Sequence, residues 1–448
     1  LLLLTGLCFF YQTVYLVISL FWREPKHKPE KPARYAILIA ARNEEAVLPY
    51  LLQSIRAQDY PSERITTYVV ADNCTDRTAE AAEANGARVY RRFDRSRIGK
   101  GYALHDLLDW IRRGDGLEQY DAFLIFDADN LLCPDYISKI NRTYSDGFEA
   151  FHGYRNTKNF GDSWISSAYA VWYLHDSVHL NAARMMLGTT CAVTGTGFGF
   201  TRALLERIDG WSFFTLTEDV EFDNWCAVNG VRIGFCREAM LYDEQASTFA
   251  QSWKQRIRWT QGGLQVSLLY AGRQLRGMLR GGRTGWASFE AATLSLGGYL
   301  LSALSGLSVA VTGLAQSGLR GLLAAVGCAV GGLYMGMAVI GALVLLTEWR
   351  RIAAPAYKKL LSVLTFPLFM LTYLPVTVAA IVCKPGRKPI AHSKRVSAEE
   401  PACCGEEREE SDMLEWMQNI HVKHVRNFFP CSPSKRHTTP IGGQCYEI

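Results

Sequence analysis

The chain has 448 residues, 49% of them hydrophobic, and a formal net charge of +5. This length exceeds one ordinary domain and supplies both a buried core and segments apolar enough for a membrane. The charge is modest and sits partly in basic clusters beside apolar stretches, which argues for a membrane surface and sets nucleic-acid binding aside. The 12 cysteines form no CxxC pair and no spaced Cys/His set in the central region, so neither a disulfide framework nor a zinc site is expected there.

Residues 1–22 carry no charge and precede a basic, proline-broken run over 23–31, which predicts one membrane helix. A cleaved signal peptide is the rival reading, disfavoured by the length of the apolar stretch and the lack of a basic leader. The chain starts without methionine, so further sequence upstream is expected. Over residues 34–248 short apolar runs alternate with longer amphipathic ones, the pattern of an α/β domain with a mostly parallel sheet. Strands are predicted over 35–40, 67–71, 87–90 and 122–126, with one helix over 45–58 and another running through Ala84 to a stop at Gly86. Polar clusters follow these strands, on the edge where open α/β sheets bind ligands.

Arg42, Asn43 and Glu44 follow the first strand, and Asp72 to Asp76 follow the second. Asp72 suits a nucleobase or ribose, while Asp72 or Thr75 also suits the cap of the helix beginning near Arg77, and the two roles are compatible. Arg42 to Glu44 face the same pair of readings. Lys100, between Gly99 and Gly101, sets a cation near a helix start, as phosphate sites do.

Asp127 and Asp129 sit two apart at the end of the fourth strand, so their carboxylates share a direction if strand geometry continues. They suit either an Asx-type turn before Pro134 or a Mg²⁺ or Mn²⁺ ion whose shell is completed by phosphate oxygens and water. Glu218 and Asp219 open a predicted amphipathic helix, where acids either complement the first turn or supply a general base. Gly195 to Phe200 reads as a glycine-relaxed strand entry.

Gln255, Arg256, Ile257, Arg258 and Trp259 begin a segment over 249–288 that interleaves bases with Trp and Leu. One reading is a basic amphipathic helix at lipid headgroups; the other puts Arg258 on phosphate and Trp259 against a sugar face. Further uncharged stretches over 291–319, 321–347 and 360–383, within a region spanning 289–383, each approach or exceed the ~20 residues of a spanning helix. Basic residues follow the last of them. Three full crossings would place these opposite to the positive-inside tendency, and a kinked or interfacial final segment, with Pro367 and Pro375, would remove the conflict. Residues 384–448 read as a basic, partly disordered tail, with a short helical candidate over 413–425.

The ordered set of Asp72, the Asp127/Asp129 pair, Glu218-Asp219 and Gln255-x-x-Arg258-Trp259 resembles the membrane-bound family 2 glycosyltransferases, the group of cellulose, hyaluronan and poly-N-acetylglucosamine synthases. The likeness covers roughly residues 34–259 and the flanking apolar segments. It implies a GT-A type nucleotide-sugar-binding domain flanked by transmembrane helices, with a UDP-sugar donor. By that likeness Asp72 binds uridine, Asp127 and Asp129 form the metal-binding DxD, and Asp219 is the base of a TED motif, with Glu218 beside it. Gln255, Arg258 and Trp259 form QxxRW, and Lys100 serves the nucleotide side; Arg42, Asn43 and Glu44 are assigned to the donor by their place after the first strand. Asp127 is the less direct of the two metal candidates. Gly195 to Phe200 occupies the acceptor-loop position but lacks the Cys-Gly-Thr pattern of cellulose synthases, which weakens that assignment.

The expected activity is inverting transfer to a growing polysaccharide, with a single transfer to a lipid as the alternative. The expected setting is a bacterial plasma membrane, multi-pass, with the catalytic domain cytoplasmic and accessory export subunits as candidate partners.

Overall fold

The computed structural model describes residues 1–294 and 296–383. The tail expectations, including the helical candidate over 413–425, lie outside the described residues.

Eight strands form one sheet: β1 (Tyr35–Ala41), β2 (Ile65–Asp72), β3 (Arg88–Arg92), β4 (Ala122–Asp127), β5 (Leu131–Leu132), β6 (Ala150–Thr157), β7 (Phe198–Thr201) and β8 (Ile233–Asp243), in the order β3-β2-β1-β4-β7-β6-β8-β5. β1, β2, β3 and β4 are mutually parallel, as are β6 and β8, whereas β7 runs antiparallel to both neighbours and β5 to β8. The sheet is therefore mixed, more so than the expected mostly parallel one. β7 is short and glycine-containing, a poor target for pattern reading.

The central strands are near-continuous apolar runs because helices cover both faces. One face packs under the helices Leu48–Arg56 and Tyr136–Ser145. The other packs under Lys100–Arg113 and Trp164–His175, and its core continues into Val344, Leu345, Phe366 and Phe369 of the late apolar helices. Trp211 is fully buried among Phe198, Phe200, Phe213 and Phe222, with ring centroids 5.0–6.1 Å away. Each such ring contributes about 1.5–3 kcal/mol of burial, and together they form a rigid floor under the loop leading to Glu218.

Register carries the sheet to the site. Ala40 pairs with Asp127 and Ala41 with Ala71, so the residues after β1, β2 and β4 leave the sheet on one edge. β6 and β8 point the same way through the antiparallel β7, which brings Asp243 to that edge as well.

Helix Leu2–Ser19, the long helix ending at Glu348 and the segment Ala356–Val382 are long and apolar enough to cross a membrane by length and composition. The long helix breaks at Ser317 and Gly318 (φ 56°). There the backbones of Gly313 and Gly321 lie so close that a Cβ on Gly313 would come within 2.5 Å of the Gly321 carbonyl. The break lies close to the expected boundary between the first two late segments. The first expected stretch starts too early, since residue 291 belongs to the separate helix Gly282–Thr293. The last segment divides at Thr372 into Ala356–Leu371, which contains Pro367, and Tyr373–Val382, the division its prolines predict.

Candidate active site

A cavity of about 500 Å³ opens on the C-terminal edge of β1, β2 and β4. Arg42, Glu44, Asp72, Lys100, Asp127, Asp129, Glu218, Asp219, Gln255, Arg258 and Trp259 all line it. Asn43 is the exception among the expected residues. Its backbone is left-handed (φ 61°) and its Oδ1 accepts from Thr75 N at 2.8 Å, so it ties the β1 loop to the β2 loop instead of facing the cavity.

Lys100 opens the helix Lys100–Arg113, and its Nζ lies 2.5 Å from Asp127 Oδ1, 2.7 Å from Gly195 O and 3.6 Å from Glu218 Oε1. Burial opposes its charge, but Asp127, Glu218 and Asp219 together hold the ammonium above its ordinary range. Asp127 N donates to Thr196 Oγ1 at 2.9 Å and to Asn130 Oδ1 at 3.1 Å, while Glu244 N donates to Asp129 Oδ2 at 3.3 Å. Asn130 N also donates to Asp127 O at 3.1 Å, so the Asp pair sits in a backbone turn, and both residues line the cavity. Among the described residues no three His, Cys, Asp or Glu groups gather closely enough to hold a metal ion by themselves. Two hard oxygen donors suit Mg²⁺ or Mn²⁺ whose remaining shell comes from phosphate and water.

Glu218 and Asp219 stand in the first turn of the helix Glu218–Asn229, whose start is fixed by Glu221 Oε2 accepting from Phe214 N and Thr215 N at 3.0 and 2.9 Å. This helix is not the amphipathic one expected, because none of residues 218–228 is exposed. It is wedged between the sheet and the helix Phe249–Leu279. Burial raises the Glu218 carboxyl to about 7, with Lys100 pulling it down and Asp219 adding to the rise. Asp219 is likewise raised by burial, opposed by Lys100. Gly195 (φ 88°) faces Asp219: a Cβ there would sit 3.4 Å from Asp219 Oδ2. The glycine run leads directly into β7 (Phe198–Thr201), as the strand-entry reading expects.

Spacing explains the last motif. Gln255, Arg258 and Trp259 stand at i, i+3 and i+4 on the helix Phe249–Leu279 and share the face toward the cavity. Gln255 Oε1 and Arg258 Nε are buried without hydrogen-bond partners among the described residues, which suits a polar, anionic ligand. Arg256, on an adjoining face, is fully buried, donates to Thr372 Oγ1 at 2.6 Å and lies 4.2 Å over the Phe369 ring. It anchors this helix to the last apolar segment. Gly262 lets the helix approach Glu218, since a Cβ there would meet Thr217 Oγ1 at 2.5 Å.

Sequence reasoning missed Arg155, Tyr173 and Asp243. Arg155 Nε bonds Asp243 Oδ2 at 2.9 Å, its guanidinium lies 3.7 Å over the Tyr173 ring, and it also donates to Thr194 O. Burial raises Asp243 to about 7, with Arg155 opposing. The available signal was an arginine inside the buried strand β6 and an aspartate ending β8, as Asp72 ends β2 and Asp127 ends β4.

Residues 32–262 match the family described as Glycosyltransferase like family 2. Among curated proteins, the chain is similar to Beta-monoglucosyldiacylglycerol synthase of Synechocystis sp., 26% identical over 240 residues, covering 52% of this chain and 48% of the relative. It is also similar to Poly-beta-1,6-N-acetyl-D-glucosamine synthase of Staphylococcus aureus, 24% identical over 272 residues, covering 59% and 63% respectively. The chain spans about half the length of the first of these and under two thirds of the second. Among solved structures it is similar to Mannosyltransferase PcManGT from Pyrobaculum calidifontis in complex with GDP-Man and Mn2+, at 18% identity and a TM-score of 0.49, covering 85% of this chain and 97% of that one. The family match and the mixed sheet, with ligand-side acids at its strand ends, give the GT-A type fold, flanked by helices apolar enough to span a membrane.

Proposed function

Because the chain belongs to glycosyltransferase family 2, we propose that it transfers a sugar from a UDP-sugar to a growing polysaccharide at a membrane surface, inverting the anomeric carbon. The observation that carries this reading is the meeting of Asp72, Asp127, Asp129, Asp219 and Arg258 around one cavity, although 186 positions separate the first from the last.

In this reading Asp72 receives the base, and Lys100 and Arg258 receive the diphosphate. Asp219 takes the proton of the acceptor hydroxyl as its oxygen attacks the anomeric carbon; the bond to the diphosphate breaks and its electrons leave with UDP. The raised carboxyl of Asp219 suits a base that must hold a proton briefly. Asp127 and Asp129 would hold a divalent ion, which supplies charge stabilisation for the departing diphosphate. Trp259 offers an apolar face to a sugar ring, and Tyr169 steadies it edge-on at 5.7 Å.

The apolar helices packed behind the cavity support a multi-pass enzyme whose domain faces the cytoplasm, where nucleotide sugars are made, and the bacterial relatives support a bacterial plasma membrane. The similarity to a lipid glucosyltransferase supports a second reading, one sugar passed to a lipid acceptor. Membranes incubated with labelled UDP-sugars decide between them. A ladder of long products supports the polymerase, a single lipid-linked saccharide supports the alternative, and no UDP release with any donor removes both.

A further inference from the structure

Arg92, at the end of β3, is 2% exposed, yet no step described above uses it. Its Nη1 donates to Asp72 Oδ1 at 2.6 Å, its Nε to Asp106 Oδ2 at 2.7 Å and its Nη2 to Arg97 O at 2.8 Å. One side chain thus fastens the end of β2, the helix that begins with Lys100, and the loop that delivers Ile98 and Gly99 to the cavity wall. Asn73 Nδ2 adds a second bond to the same Asp72 oxygen at 2.8 Å, from a left-handed backbone (φ 53°). Asp72 Oδ2 takes no hydrogen bond among the described residues, and Asp72 lines the cavity.

From this geometry we infer that Arg92 sets the nucleobase preference of the site, by engaging one oxygen of Asp72 and leaving the other as a lone acceptor. The inference rests on the reading of the cavity as a nucleotide-sugar site. Uracil presents a single ring N–H between two carbonyls, and one carboxylate oxygen satisfies it. Guanine presents two adjacent N–H donors, which a free carboxylate takes with both oxygens. Against a half-occupied Asp72 one of guanine's donors goes unpaired in a buried site, and such losses dominate discrimination. Arg92 is accordingly a positioning residue that acts through Asp72. Lysine cannot replace it, because a single ammonium lacks the planar fork that reaches three acceptors in fixed directions.

Calorimetric titration of the detergent-solubilised protein with UDP and with GDP, each with Mn²⁺, reads this preference without turnover. The wild type should favour UDP by at least about a hundredfold. Arg92→Lys should shrink the UDP-to-GDP affinity ratio by about tenfold or more, as Asp72 Oδ1 loses its charged donor, keeps only the Asn73 bond and regains acceptor capacity. Asn73→Gly, which keeps the positive φ and removes the other donor to Asp72 together with its bond to Asp94 O, should move the ratio the same way by less, and it decides the matter if Arg92→Lys does not fold. Equal weakening of both nucleotides in these variants, as a purely structural role predicts, overturns the inference. A wild type that binds neither nucleotide rejects the nucleotide site itself, whereas tight UDP binding with an unmoved ratio rejects only the role of Arg92.

Discussion

Lys100 is the residue on which the electrostatics of the cavity turn, since its ammonium faces Asp127, Glu218 and Asp219 together. An aspartate works as a base only when ionised, so burial that raises Asp219 shifts the acid limb of kcat above the ordinary aspartate range, while Lys100 opposes that shift. Lys100→Met should therefore move the acid limb to higher pH, and a pH profile of kcat checks it; an unmoved or lowered limb would contradict the assignment. Asp129→Ala should weaken Mn²⁺-dependent UDP binding by tenfold or more, about 1.4 kcal/mol, as read by titration with and without the ion. Most of these residues were legible in the chain, because Asp72, Asp127 and Asp219 stand where strand ends and a helix start put them. Arg155 and Asp243 were not, because neither belongs to a short motif and only the pairing of β6 with β8 joins them. Asn43 was assigned to the donor by its place after β1, yet the same turn chemistry that marked it turns its side chain onto Thr75.

At the scale of elements, the site depends on how closely the helix Phe249–Leu279 approaches the start of Glu218–Asn229. Gly262 marks that contact against Thr217. Gly262→Ala should push the helices apart and cost about 1–3 kcal/mol of stability. It should also lower kcat about tenfold by moving Arg258 and Trp259 relative to Asp219, as kinetics and thermal unfolding would show; an unchanged kcat would mean that the gap is not critical. Strands buried on both faces were readable as apolar runs, which is why β1, β2 and β4 fell where expected. A strand entry was legible in the glycines before β7, but its antiparallel direction was not, because a short glycine-containing strand has no pattern that encodes its sense. The helix carrying Glu218 was misjudged as amphipathic because its polar residues face protein, bonded or desolvated, instead of water.

Over the whole molecule, the α/β domain and the late apolar helices share a core. Glu348, 1% exposed at the end of the long helix, accepts from Tyr154 Oη of β6 at 2.6 Å and from Arg237 Nη2 of β8 at 3.0 Å. Removing one partner of a buried charge cluster costs about 3–5 kcal/mol. Glu348→Ala should lower the midpoint of thermal unfolding in detergent and loosen the β6–β8 side of the cavity, and an unchanged midpoint would count against that coupling. Hydrophobicity gave the existence of the membrane-class segments, whereas their packing on the domain depends on single contacts, such as Arg256 to Thr372, that no apolar run encodes. The central claim is that acids from β2, β4 and the helix at Glu218 act as one site, with Asp219 moving the proton and the others holding the donor. The decisive experiment is paired measurement of UDP·Mn²⁺ affinity and kcat in Asp219→Asn. Affinity within about twofold of wild type and turnover lowered by at least about a thousandfold are expected; retained turnover, or loss of binding in step with turnover, would remove Asp219 from the base role.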